Sequence, residues 1–281
     1  KAPEARPSGE EVLQRLRTSE HVPTLPRTSN RHEIFGRSKE LQELEDALAE
    51  LQAGNPGLVL MRGRSGMGKS TLLEHFLRTI TRESRALVLF GRCMEQAFVP
   101  FKALDQVVEA LGSRLRRLEE SQLAYFLPIH FGALAKVFPV LEDLVQRTET
   151  STRLEREPAD PRELRRRAFA ALRELLARLA QFQDLPVVVA VDDLQWGDPD
   201  SIPMLAELLR TPDAPRVLFI GCTRNDKVDQ RVLGPLLEVQ RRFRQSHRVR
   251  RLVLRELGHD DAVDLARHFL EGTGREHIAP R

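Results

Sequence analysis

The sequence is short of several things, and each shortage removes a class of protein. Two cysteines, Cys93 and Cys222, in 281 residues cannot make a disulfide framework, and no Cys/His cluster at ligand spacing accompanies them. No apolar run approaches the roughly 18 residues that a membrane-crossing helix needs. The opening KAPEARPSGEE lacks the apolar core of a secretory leader. Charge of one sign is also missing: 44 basic residues face 41 acidic ones, for a net +3, whereas a dedicated nucleic-acid binder is usually more lopsided. There is no LSGGQ-like transporter signature, and neither H-R-D-L-x-x-x-N nor D-F-G of a protein kinase. These absences lead us to expect a cytoplasmic protein with no membrane partner. The start at Lys1 and the polar end EGTGREHIAPR lead us to expect a piece of a longer polypeptide.

What is present is an alternation of strand and helix patterns. Residues 1–32, rich in Pro, Ser, Thr and Arg, read as a linker. Leu41, Leu44, Leu48 and Leu51 recur at helical steps until GNPG at 54–57 ends the pattern. Strands are expected at 58–61 (LVLM), 86–90 (ALVLF), 187–191 (VVVAV), 216–222 (RVLFIGC) and 251–254 (RLVL). The unbroken β-branched run VVVAV suits a parallel strand covered on both faces. Helices are expected at 70–82, 164–182, 200–210 and 260–271, and as shorter pieces across 101–147 broken at Pro128 and Pro139; polar 148–163 reads as a loop. Such alternation implies a parallel sheet wound by right-handed crossovers.

Chemistry enters at LVLMRGRSGMGKSTLLEHFL, residues 58–77. Gly63, Gly68, Lys69 and Ser70 match G-x-x-x-x-G-K-[ST] without a gap, between an expected strand and an expected helix. The chain's own residue frequencies give about 0.002 chance matches to that pattern, and Lys69 is one of only six lysines against 38 arginines. A loop that wraps a polyphosphate must aim successive backbone N–H groups inward, and glycine permits the close approach and the positive φ angles. The helix that follows adds its positive end. Residues 63–71 (Gly63, Arg64, Ser65, Gly66, Met67, Gly68, Lys69, Ser70, Thr71) are therefore the expected nucleotide-binding loop. Lys69 is expected on the β and γ phosphates, and the Ser70 hydroxyl on Mg²⁺.

A second element is PVVVAVDDLQWGDPDS, which puts Asp192 and Asp193 at the end of the most hydrophobic strand. In an open α/β sheet such a strand end faces the same crevice as the phosphate loop. Asp192 is expected to hold Mg²⁺ through a water. Asp193 is expected to orient or deprotonate the attacking water. Many vigorous P-loop ATPases use Glu there, and the shorter Asp points to slow turnover.

Four motifs in order give a resemblance: IFGRSKELQEL (34–44), GRSGMGKST, VVVAVDDLQWGDPDS and VLFIGCTR (217–224). The chain resembles the STAND signalling ATPases of the AAA+ group, and especially their bacterial Orc1-like AAA ATPase modules, over about 34–271. FGRCMEQAFVPFKALDQVVEAL and FGALAKVFPVL are similar to the helical inserts of such modules in large regulators, some of which carry a Ser/Thr kinase domain. The resemblance implies a three-layer α/β/α P-loop NTPase fold. Its parallel five-stranded sheet would have the order 5-1-4-3-2, with a long helical insert (about 101–182) between strands 2 and 3. It divides the chain into a linker (1–32), an ATPase domain (33–258) and the start of a C-terminal helical domain (259–281). It also implies ATP with Mg²⁺ and a switch driven by nucleotide state. Arg224 would then be the sensor on the γ-phosphate, where a guanidinium can chelate oxygens, and Arg37 would stand near the adenine-side wall. Ser38 occupies the place where the family usually has Glu. The family's helical lid and winged helix are not in the sequence, which leads us to expect weaker nucleotide binding by this chain alone.

Other features read as ordinary surface or core. QRRFRQSHRVRR (240–251) holds six arginines but only one aromatic, Phe243, so it reads as a solvated face rather than a base-stacking platform; RELRRR (162–167) reads likewise. Cys93, Cys222 and Trp196 read as packing residues, and His259 as a capping or surface residue. The leading functional expectation is a slowly hydrolysing nucleotide switch that acts on other domains of its polypeptide or on signalling proteins, with nucleotide-dependent self-association open. A DNA-associated AAA+ ATPase of the replication-initiator type and a P-loop small-molecule kinase are the alternatives.

Overall fold

The hydrophobic runs become five strands in the computed structural model, which describes residues 34–95, 100–147, 160–198, 200–208, 215–224 and 249–270. They are β1 (Gly57–Gly63), β2 (Leu87–Arg92), β3 (Val187–Asp192), β4 (Val217–Arg224) and β5 (Val249–Val253). Every pairing is parallel, and the order is β2-β3-β4-β1-β5. This is the expected order read from the other edge, and the architecture is that of a P-loop NTPase. β3 is buried along its whole length, as its uninterrupted apolar run requires.

Alternation along each strand divides the core in two. Val59, Met61, Val88, Val188 and Ile220 face α1 (Ser38–Gln52) and α2 (Lys69–Arg82). Leu58, Leu60, Leu89, Val189 and Phe219 face the opposite helical layer. That layer holds α3 (Lys102–Leu115), α4 (Glu120–Phe126), α5 (Phe131–Val137), α6 (Glu142–Gln146), α7 (Pro161–Gln183) and α8 (Ser201–Leu208). The sheet thus lies between two helical layers, and α3 to α7 form the expected insert between β2 and β3. Among the described residues the last element is α9 (His259–Leu270).

Boundaries differ from the expectations where caps or pairing decide them. α7 starts at Pro161 rather than at 164 because the Asp160 side chain accepts the Arg162 N–H at 2.9 Å and proline occupies the first turn, where its missing N–H costs nothing. β5 spans 249–253 rather than 251–254, since its pairing with β1 begins at Val249 and takes in the polar Arg250. The linker 1–32, most of the loop 148–163, and 240–248 of the arginine-rich stretch lie outside the described residues. Arg250 within that stretch is paired with Glu43 and Glu50 at 2.7 Å each, as a structural face would be.

β2 is a sheet edge, and α3 closes it. Gln106 accepts the Arg92 N–H at 2.8 Å, and Arg114 donates to the Val88 carbonyl at 3.4 Å. These contacts engage backbone groups that an open edge would expose to pairing with another chain. Burial depresses the Arg114 guanidinium to about 10.

Candidate functional site

In a parallel sheet the strand ends share one rim, and register decides which ends are neighbours. Gly63, where the phosphate loop leaves β1, pairs with Arg224 at the end of β4. Asp192, at the end of β3, pairs with Arg92 at the end of β2. Residues far apart in sequence therefore meet at one place.

The loop between β1 and α2 has the expected form. Gly66 and Gly68 hold φ of +80° and +83°, the left-handed region that a side chain disfavours, and Gly68 stands at the N-cap of α2. Arg64, Ser65, Gly66 and Thr71 are exposed, while Met67, Gly68 and Ser70 are half-buried. Lys69 is buried, and its Nζ donates to the carbonyls of Gly63 at 2.9 Å and Arg64 at 2.8 Å. Burial lowers its pKa from the usual lysine value, and the nearby charge of Arg224 adds to that effect, while Asp192 and Asp193 oppose it. Among the described residues the hydrogen-bond partners of the ammonium are these two loop carbonyls.

Asp192 is 1% exposed. One carboxylate oxygen accepts from Arg92 Nε at 3.1 Å and from its terminal nitrogen at 2.9 Å; the other accepts the Asp193 N–H at 2.9 Å. The same guanidinium reaches Glu74 of α2 at 3.4 Å. Asp193 has φ +53°, which aspartate tolerates better than most residues, and its Oδ1 accepts from Gln195 Nε2 at 2.8 Å. Gln195 is buried and accepts the Arg224 N–H at 3.1 Å. Among the described residues no carboxylate pairs with the Arg224 side chain.

Beside the loop lies a cavity of about 460 Å³, walled by Ile34 and Phe35, by Met67 and Thr71, and by Leu265 and Phe269 of α9. Arg37 lines it too. Its guanidinium donates to Met67 O at 3.1 Å and Arg255 O at 2.6 Å, and pairs with Glu40 at 3.2 Å. The carboxylate beside Arg37 therefore comes from Glu40, not from position 38.

Sequence reasoning missed Arg92, Glu74, Gln195 and Asp198. The expected sheet order sets strand 2 beside strand 3, so the two strand ends Arg92 and Asp192 could have been matched. Gln195 and Asp198 stand in the quoted LQWGD stretch, yet nothing in their spacing names their partners. Cys93 and Cys222 are buried as expected, and burial pushes the Cys93 thiol up to about 12. Trp196 is half-buried against the insert-side core, and His259 is an exposed first residue of α9. No helix of the described residues is long and apolar enough to cross a membrane, and no group of three metal-ligating His, Cys, Asp or Glu side chains occurs among them.

Comparison with known proteins gives the family. Residues 33–220 match the AAA ATPase domain family. A curated protein of Rhizobium meliloti, itself uncharacterized, is 29% identical over 198 residues, covering 68% of this chain and 18% of that protein. The hybrid signal transduction histidine kinase G of Dictyostelium discoideum is 21% identical over 182 residues, covering 64% of this chain and 5% of its own. Among solved structures, Cdc6p of Pyrobaculum aerophilum aligns with a TM-score of 0.46 and 17% identity over 89% of this chain and 51% of that one. The Aeropyrum pernix Orc1 protein in complex with DNA aligns with 0.44 and 16%, over 93% and 53%. The chain belongs to the AAA ATPase domain family and is a nucleotide-binding ATPase module.

Proposed function

We propose that this member of the AAA ATPase family binds ATP with Mg²⁺, hydrolyses it slowly, and acts as the nucleotide switch of a larger signalling or regulatory protein. The observation that carries the reading is the meeting, at one rim of the sheet, of a buried lysine in a glycine loop, two adjacent carboxylates and an arginine without a carboxylate partner among the described residues. The matched stretch is a small part of both curated relatives, one of which is named as a signal transduction protein. That favours a module over a free-standing enzyme.

The roles follow from the chemistry. Phosphate oxygens are charged acceptors, so a polyphosphate replaces the Gly63 and Arg64 carbonyls as partners of Lys69. Residues Gly63 to Thr71 cradle it with backbone N–H groups at the start of α2. The base and sugar occupy the apolar cavity, where Arg37 braces the wall. Ser70 and Asp192 offer the hard oxygen donors that suit Mg²⁺; when bound, the ion offsets charge on the β and γ phosphates. Asp193 orients the attacking water, and Arg224 contacts the γ-phosphate. All of these act by positioning and charge, which is most of what phosphoryl transfer asks of a protein.

The test is nucleotide binding and single-turnover hydrolysis by the wild type, Lys69→Ala and Asp193→Asn. Lys69→Ala should lose binding. Asp193→Asn should bind as the wild type does and hydrolyse about 100-fold more slowly, a typical loss for a positioned base. Unchanged ATP affinity in Lys69→Ala overturns the phosphate-loop assignment. Brisk multiple turnover overturns the slow switch, and DNA binding that survives physiological salt would favour an initiator-type ATPase.

A further inference from the structure

We infer that Gln195 is a positioning residue for hydrolysis, a rigid link that makes the aim of the Asp193 carboxylate and the position of the β4 end bearing Arg224 move together. This rests on the reading of Asp193 as the residue that orients water. Gln195 is 4% exposed, and a buried amide must find partners for both its ends. Its two partners are those two site residues: Nε2 donates to Asp193 Oδ1 at 2.8 Å, and Oε1 accepts the Arg224 N–H at 3.1 Å. One follows the end of β3 and the other ends β4, 31 positions apart in the chain.

The orientation of the amide is forced. Turned over, it would set its carbonyl against a carboxylate and its NH₂ against an N–H, so only one assignment satisfies both neighbours. The amide is planar, and a displacement at one end therefore shifts the other. The Asp193 carboxylate has accepting capacity left for the attacking water. A γ-phosphate drawing Arg224 towards it would pull on the Arg224 N–H, and through Gln195 on the acid. The turn that carries Gln195 is short, Leu194–Trp196, and it starts from Asp193 with its left-handed φ of +53°, so the acid's backbone and its carboxylate are held by the same segment.

Two variants test the link. Gln195→Glu keeps the acceptor for Arg224 but turns a carboxylate towards Asp193. It should bind ATP within about threefold of wild type and hydrolyse it about 10- to 100-fold more slowly at pH 8, the size of one charge-assisted hydrogen bond. Gln195→Met removes both bonds without adding charge; it should be as slow, and it serves if the first variant does not fold. In an Asp193→Asn background, Gln195→Met should cost less than it does in the wild type, since part of its effect acts through Asp193. A readout independent of hydrolysis is amide exchange in nucleotide-free chain: Asp193→Ala, 31 residues away, should speed exchange at the Arg224 N–H about tenfold by freeing the amide. Wild-type hydrolysis by Gln195→Met, or an Arg224 N–H indifferent to Asp193→Ala, overturns the inference. If Asp193→Asn itself hydrolyses normally, the reading of Asp193 fails instead, and the two failures are told apart.

Discussion

Asp192 shows what the site must solve at the scale of a residue. A carboxylate 1% exposed is costly unless a charge and hydrogen bonds compensate it, and Arg92 supplies both. The guanidinium also reaches Glu74 on the helix that follows the phosphate loop, so it stands between two carboxylates. Arg92→Ala should destabilise the nucleotide-free chain by about 1–3 kcal/mol, less than a fully buried pair because the arginine is 36% exposed. A cation placed beside Asp192 would relieve that loss. The rise in Tm with ATP and Mg²⁺, over ATP with EDTA, should therefore be larger in Arg92→Ala than in wild type. An equal rise would show that Arg92 and the ion do not share the carboxylate. Gly36 makes a different kind of demand: its φ is +62°, and a Cβ there would lie 2.5 Å from the Asp261 carboxylate. The glycine of IFGR thus lets α9 approach the wall of the cavity.

At the scale of elements, one acidic side chain fastens the insert to the loop after β3. Asp198 accepts the N–H groups of Phe101 at 3.0 Å, Ala103 at 3.4 Å and Ser201 at 3.0 Å, together with the Ser201 hydroxyl. It serves the starts of α3 and α8 at once. Phe101 sits at φ +62°, a strained angle for an aromatic residue, while its ring packs against Phe138 and Phe169. Asp198→Ala should cost about 2 kcal/mol, the sum of two lost caps. Hydrogen exchange should quicken at 101–115 and 201–208 and stay slow in the sheet; uniform quickening would refute a local role. Nothing in GDPDS foretold this, because the N–H groups it serves lie in part 95 to 97 positions earlier. The elements themselves were legible for a physical reason. VVVAV and RVLFIGC announce strands because both faces are covered, and Leu41, Leu44, Leu48 and Leu51 announce α1 because one face is. The candidate site was legible where its geometry depends on local spacing, as in GRSGMGKS, and hidden where it depends on register, as at Arg92, or on a side chain that bridges the ends of β3 and β4, as at Gln195.

For the whole molecule, the arrangement of the cavity matters most. Its walls come from the segment before α1, from the phosphate loop and from α9. Phe35, on its wall, packs against His268 of α9 with ring centroids 5.3 Å apart and planes tilted by 48°. A nucleotide seated there would touch the beginning of the described chain, the loop before α2 and the last helix. Its binding free energy then stabilises contacts that are otherwise thin: α9 buries only Val263, and Phe269 is 69% exposed. A ligand at 100 times its Kd adds about 2.7 kcal/mol to the state that binds it, and elements that touch it share that gain. Saturating ATP with Mg²⁺ should therefore slow amide exchange in α9 about as strongly as in residues 63–71, although some 190 positions separate them. Lys69→Ala should abolish both effects together at the same nucleotide concentration. Protection confined to the phosphate loop would mean that α9 does not close on the nucleotide.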